Sequence, residues 1–179
     1  MVYVFLADGF EEIEAITPID ILRRAEIEVK TVGINSKSIC GAHGIWIECD
    51  LLDTEPDLLG LEMIVLPGGM PGALNLEKSL VVKAFIDYCV EHEIKIAAIC
   101  AAPAMLGHMG LLDEKNFTCY PGFESQAPHG NYTGNTCEQA GTIITSKGAG
   151  TALEFSLLLV ETLKGKERAE LLKAALQCR

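Results

Sequence analysis

Short β-branched and aliphatic runs alternate with longer stretches whose apolar residues recur at helical spacing, the pattern of βαβ units around a parallel sheet. Val2–Leu6 is the first such run and reads as a strand. After the turn Ala7-Asp8-Gly9-Phe10, the spacing of Ala15, Ile19 and Leu22, with Ile16 beside them, predicts a helix from Glu11 to about Ala25. Pro18 lies inside it and predicts a kink, or a start of the regular helix at Thr17-Pro18. Glu28–Ile34 reads as a second strand, and Ser38–Cys40 with Ile45–Glu48 as a hairpin turning at Gly41–Gly44. Met63–Leu66 is a strand ending in Pro67-Gly68-Gly69; a helix from about Ser79 to Glu91 and a buried strand, Lys95–Ile99, follow. The pattern is helical again from Ala101 to Met109, whereas the glycine-rich, polar region Tyr120–Asn135 has no periodicity. Thr136–Ala140 and Thr142–Thr145 make a second hairpin about Gly141. Helices Thr151–Lys164 and Lys166–Leu176 close the chain, with Thr151 and Gly165 as punctuation for the first.

The architecture this predicts is α/β: a three-layer sandwich resembling the flavodoxin-like, doubly wound fold, its mostly parallel sheet covered by helices on both faces. At 179 residues the whole chain, 1–179, fits one domain. Ligands in such folds sit at the carboxyl ends of the strands. Three strand ends should share that edge: the one before Gly9–Glu14, the one before Gly68-Gly69, and the one before Cys100.

Composition sharpens this in four ways. Half the residues are apolar and only 6% aromatic, so the core is aliphatic, as a buried parallel sheet requires. The formal charge of −11 argues against nucleic acid or an anionic membrane as partner, because basic patches supply most of that affinity. No run approaches the roughly 18 apolar residues that span a bilayer, and the opening strand lacks a basic n-region, so it does not read as a signal peptide. The seven cysteines, at 40, 49, 89, 100, 119, 137 and 178, are odd in number, irregularly spaced and without a CxxC pair. They suggest neither a disulfide framework nor a zinc site, but mostly buried thiols in a reducing, cytoplasmic setting. Neither a metal nor a cofactor is indicated.

One cysteine stands apart. In Ile96-Ala97-Ala98-Ile99-Cys100-Ala101-Ala102-Pro103 a buried strand passes straight into a helix, with Cys100 at the junction between small residues. A nucleophile elbow needs this arrangement, since a tight strand-to-helix turn lifts the side chain out. The helix N-terminus would favour the thiolate; a shift from about 8.5 to roughly 5.5 raises the thiolate fraction at pH 7 about thirty-fold. A buried structural cysteine fits the same window. Gly68-Gly69 would let backbone amides face a neighbouring oxyanion, although a Gly-Gly turn is more often only a turn. Glu11, Glu12 and Glu14 all suit a helix N-terminus; Glu11 and Glu12 read as water-facing and Glu14 as turned toward the sheet edge. A carboxyl beside a thiolate would have its pKa raised.

The segments Ala7-Asp8-Gly9-Phe10-Glu11-Glu12-Ile13-Glu14, Leu66-Pro67-Gly68-Gly69 and Ala97-Ala98-Ile99-Cys100-Ala101-Ala102-Pro103 resemble the motifs of the ThiJ/PfpI superfamily, in particular the branch of the human parkinsonism-associated protein deglycase. The likeness extends to Thr145–Thr151 and to Glu154-Phe155. It implies an elbow nucleophile at Cys100, a carboxyl partner at Glu14, an oxyanion pocket from the backbone at Gly69 and Ala101, and a homodimer. It also implies one of two functions: a cofactor-independent enzyme of the glyoxalase III or deglycase type, acting on α-oxoaldehydes such as methylglyoxal or their early glycation adducts, or a redox sensor or stress chaperone switched by oxidation of Cys100. The chain departs from its relatives in one respect. Where they carry threonine-histidine-proline beside the nucleophile, it has Cys119-Tyr120-Pro121, and tyrosine, with a pKa near 10, is a poor base. That disfavours a peptidase, which needs a Cys–His pair.

The remaining candidates are less specific. His43, in the Gly41–Gly44 turn, matches a region near the dimer interface of relatives and is a candidate for a partner's pocket. Arg24 could bind an anion across that dimer, although an exposed helix arginine reads equally well. His108 reads as a structural residue meeting carbonyls at a helix end, and His92 as a solvated helix-end residue. His129 lies in the unassigned region, from which it could approach Cys100, and Cys119 is a candidate for the interface.

Overall fold

The computed structural model describes residues 1–178. Its elements are β1 (Val2–Leu6), α1 (Glu12–Arg24), β2 (Val29–Gly33), β3 (Ser38–Cys40), β4 (Trp46–Glu48), β5 (Leu51–Leu52), β6 (Met63–Leu66), α2 (Gly72–Lys78), α3 (Leu80–Glu91) and β7 (Lys95–Ile99). There follow α4 (Pro103–His108), β8 (Asn116–Phe117), β9 (Asn131–Tyr132), β10 (Cys137–Ala140), β11 (Ile143–Ser146), α5 (Ala152–Lys164) and α6 (Lys166–Ala175). The main sheet has the order β10-β11-β7-β6-β1-β2-β5 and is parallel except for the β10–β11 pair. The flavodoxin-like α/β architecture predicted from the alternating pattern is the one observed.

Strand periodicity divides the core in two. All five residues of β1 are buried. Val2, Val4 and Leu6 point to one face, where Ala15 and Leu22 of α1, Phe155 and Leu159 of α5 and Leu172 of α6 cover them. Tyr3 and Phe5 point to the other, against Leu76 of α2, Phe85 and Ile86 of α3 and Leu106 of α4. There the Phe5 and Phe85 rings lie 5.1 Å apart, centroid to centroid. Each of the larger side chains contributes about 1.5–3 kcal/mol by leaving water, so a polar substitution in β1 would damage the layer its side chain faces.

Where structure and expectation differ, local chemistry gives the reason. Helix α1 does not restart at Pro18; it begins at Glu12 because the Glu11 carboxylate caps it, accepting the Glu14 N–H at 2.8 Å. Helix α4 starts only at Pro103, leaving Ala101 and Ala102 in the turn. Four short elements, β5, α2, β8 and β9, carry too few residues for a period to show, and the unassigned Tyr120–Asn135 region contains β9 and a 3₁₀ turn at Glu124–Gln126. The predicted second hairpin is present, its first arm one residue shorter and its second moved on by one residue, and Gly165, at φ +87°, breaks α5 from α6. No helix among the described residues is long and apolar enough to cross a membrane.

Candidate active site

From β1 the chain winds outward through β2 on one side and through β6 and β7 on the other, so the carboxyl ends of β1 and β6 flank a topological switch point. All three predicted strand ends meet there.

Cys100 follows β7 directly and has φ +66°, a left-handed conformation that costs a non-glycine residue about 1–3 kcal/mol. Three backbone hydrogen bonds hold it: Cys100 N–H to the Ser146 carbonyl (2.9 Å), Tyr120 N–H to the Cys100 carbonyl (2.8 Å), and Ala102 N–H to the Ile99 carbonyl (3.1 Å). This is the strained strand-to-helix turn that a nucleophile elbow needs, and it leaves the side chain half-buried. The backbone N–H groups of Gly69 and Ala101 face the sulfur.

Glu14, in the first turn of α1, is 1% exposed and its carboxyl lies beside the Cys100 side chain, the two flanking Gly68. Its Oε2 accepts the Gly68 N–H at 3.0 Å, and the Ala149 N–H also reaches the carboxyl. The two glycines are dictated by space. A Cβ on Gly68 would lie 2.6 Å from Glu14 Oε2 and 2.7 Å from Cys100 Cβ. Gly69 has φ +92°, and its Cβ would lie 2.3 Å from the Glu11 nitrogen.

Burial raises the Glu14 carboxyl to about 7, helped by the charge of Glu11 and opposed by hydrogen bonds from Cys100, Gly68 and Ala149. Burial also raises the Cys100 thiol, and the charge and hydrogen bond of Glu14 raise it further, while the Gly69 and Ala101 amides pull the other way. The lowered thiol expected from a helix N-terminus is therefore not what the geometry gives. Helix α4 starts three residues downstream and has only six residues, so desolvation and the neighbouring carboxylate outweigh its dipole. Instead the two groups are coupled, since a charge on one disfavours a charge on the other.

A second carboxylate corrects the reading of Glu12 as water-facing. Glu12 is 5% exposed because the β3–β4 hairpin folds over it. Its carboxylate accepts the His43 backbone N–H at 2.6 Å and meets His43 Nδ1 at 2.7 Å. Burial pushes Glu12 up, but these hydrogen bonds outweigh it and hold the carboxyl below its usual range; the same contact raises His43. Gly41 permits this approach, since a Cβ there would sit 2.3 Å from Glu12 Oε1.

A cavity of about 300 Å³ opens beside Cys100, with Glu11, His43, Gly69, Ala101 and Tyr120 in its wall. The structure thus gathers Cys100, Glu14, Gly68, Gly69, Ala101 and Tyr120, and adds His43 from the same chain. Arg24 lies elsewhere, ten residues or about 15 Å along α1 from Glu14, paired with Asp20 at 2.7 Å. His108 meets side chains and not helix-end carbonyls: Glu77 Oε1 at 2.5 Å and Gln126 Oε1 at 2.8 Å. His92 caps α3, stacked on Tyr88, as a helix-end residue should. His129 is exposed and does not line the Cys100 cavity. Cys119 is buried, its thiol raised to about 12 by desolvation. Sequence reasoning missed Met70 and Phe123, which complete the cavity wall, and the Ala149 amide. Phe123 lies in the aperiodic region, where no signal marks it.

Comparison with known proteins fits this geometry. The sequence profile of the DJ-1/PfpI family matches residues 1–162. The chain is 35% identical over 178 residues to the Parkinson disease protein 7 homolog of Danio rerio, covering 97% of this chain and 94% of that protein. It is 33% identical over 160 residues to the glutathione-independent glyoxalase DJR-1.2 of Caenorhabditis elegans, covering 88% and 85%. Protein DJ-1 homolog B of Arabidopsis thaliana is 37% identical over 171 residues, which are 94% of this chain but 39% of that longer protein. The crystal structure of Drosophila melanogaster DJ-1beta superposes with a TM-score of 0.95 at 34% identity, covering 99% of this chain and 97% of that one.

Proposed function

The chain belongs to the DJ-1/PfpI family, and from that premise we propose that it is a cysteine-dependent, cofactor-independent enzyme acting on small α-oxoaldehydes such as methylglyoxal, or on their early glycation adducts. One observation carries this reading: the buried Glu14 carboxyl, raised to about 7, lies beside a sulfur that faces two backbone amides. These are the groups an aldehyde-to-acid rearrangement needs.

The Cys100 sulfur adds to the aldehyde carbon of methylglyoxal as its proton passes to Glu14. The Gly69 and Ala101 amides stabilise the alkoxide of the resulting hemithioacetal. Glu14 returns its proton to that alkoxide. As the carboxylate it then takes the proton from the same carbon and delivers it to the neighbouring one, the hydroxyl proton passing to the former keto oxygen, which converts the hemithioacetal to the thioester of lactate. Water hydrolyses the thioester, releasing lactate and restoring the Cys100 thiol. The sum is methylglyoxal plus water to lactic acid, with no redox partner. An early adduct enters the same sequence after releasing its amine or thiol. Tyr120 contributes a hydroxyl at the cavity wall and Glu14 the proton transfer. The protein acts as a homodimer in the cytoplasm, a setting that suits seven free cysteines.

Reduced protein should form lactate from methylglyoxal, with turnover lost in both Cys100→Ser and Glu14→Gln. The same amides and a protonated Glu14 would also hold a sulfinate, formed as peroxide oxidises Cys100 to sulfenate and then sulfinate with release of water. Absence of lactate formation alongside ready peroxide oxidation of Cys100 would replace the enzyme with an oxidation-sensing stress protein.

A further inference from the structure

The cavity beside Cys100 does not stand alone. Ala101, whose amide faces the sulfur, also borders a second cavity of about 230 Å³ that runs along α4 past Ala104 and Met105, with Leu74 of α2 opposite. Met70 and Phe123 line both spaces. Met70 is half-exposed and unbranched, a side chain that can swing to connect the compartments or to close one from the other. We propose that this second compartment receives an aliphatic arm of the substrate, so that the favoured aldehydes are 2-oxoaldehydes with a neutral arm of three or more carbons beyond the keto carbon. The proposal rests on the aldehyde reading of Cys100 and extends it to substrate class.

Size and polarity both argue for it. Methylglyoxal has five non-hydrogen atoms, whereas the 300 Å³ beside Cys100 equals the liquid volume of about ten waters. Apart from Glu77, His108 and Gln126, the wall of the second compartment is alanine, leucine, methionine and phenylalanine. At its far end His108 is bonded through both ring nitrogens, to Glu77 and Gln126. A charged arm would find the Glu77 carboxylate and a raised His108 already paired with each other. A neutral hydrocarbon arm needs no such partner, and each methylene it buries is worth about fourfold in binding.

The test compares 2-oxohexanal, three methylenes longer, with methylglyoxal on the wild-type protein and on Ala104→Leu and Leu74→Phe, which narrow the second compartment from opposite walls. The wild type should prefer 2-oxohexanal in kcat/KM by about tenfold or more. Both variants should lose about tenfold on 2-oxohexanal and stay within about twofold on methylglyoxal. An equal loss on both aldehydes, or no loss on either, overturns the arm site. A parallel readout needs no turnover: alkylation of Cys100 by N-butyl iodoacetamide relative to iodoacetamide should favour the butyl reagent, and the variants should erase the preference. If neither aldehyde is turned over but this ratio responds, the arm site stands and the enzyme reading falls. If the ratio is the same in all three proteins, the arm site falls whatever the turnover.

Discussion

Glu14 and Cys100 form one titrating unit, and its consequence for stability has a definite sign. The Glu14 carboxyl moves from 4.5 when unfolded to about 7 when folded, because burial disfavours the charge. A carboxyl raised by folding stabilises most when protonated. Its contribution is therefore complete below pH 4.5 and declines as pH rises through about 7, a change on the order of 3 kcal/mol. Glu14→Gln keeps an acceptor for the Gly68 N–H but cannot ionise. The variant should lack this decline, so the melting-temperature difference, variant minus wild type, should grow between pH 4.5 and 7.5. A difference independent of pH would mean that Glu14 titrates as an ordinary carboxyl. Cys100 is legible from a few adjacent residues because strand, bend and helix all leave marks there. Glu14 is not separable from Glu11 and Glu12 by residue type; only the family likeness singles it out. Glu12 misleads because its burial depends on a hairpin 31 residues away, a contact with no local trace.

Strand ends, more than strands, decide what the site can do. The boundaries of β6 and β7 are legible in the sequence as observed, since both are short aliphatic runs, the first ended by Pro67 and the second by the small residues after Cys100. Helix α2 leaves no such signal: it begins at Gly72, has seven residues and no side-chain N-cap. Yet the β6–α2 connection carries Gly68 and Gly69, on which the Glu14–Cys100 distance depends. Gly68→Ala tests this connection. Its methyl would fall 2.6 Å from the Glu14 carboxylate, 2.7 Å from Cys100 Cβ and 3.0 Å from the Ala101 amide, and so would push all three apart. Overpacking of this kind costs typically 1–3 kcal/mol, which a fold of this size survives. Aldehyde turnover should nevertheless fall at least 100-fold, because a displacement near 1 Å is enough to misalign reacting groups. Circular dichroism beside lactate formation separates the two effects. A folded, fully active Gly68→Ala would show that the Glu14–Cys100 pair does not need this close approach.

At the scale of the whole molecule, charge and apolar surface oppose one another. The chain carries −11, so two copies repel. Against this stand Ile13 and Ile16 on α1 and Ile45 and Trp46 on the β3–β4 hairpin, each 40–66% exposed. These elements are tied together by the Glu12–His43 contact and by the Ala42 N–H donating to the Phe10 carbonyl at 2.8 Å. They therefore present their apolar residues from one braced substructure, and a second copy of the chain is the partner that the homodimer reading assigns to it. A stable pair needs about 800 Å² from each partner, and a surface that includes an exposed tryptophan is suited to supply a dominant contact. If so, the protein should sediment at about twice 19.3 kDa. Added salt should tighten the pair, because screening removes repulsion and leaves apolar burial intact. Trp46→Glu adds a charge where a side chain 66% exposed in the single chain would be covered, so it should give a monomer without lowering monomer stability. It should also reduce turnover, since the hairpin that carries Trp46 holds His43 against Glu12 at the cavity wall. A dimer that weakens with salt, or one that Trp46→Glu leaves intact, would place the interface on a charged surface and free the hairpin from any role in assembly.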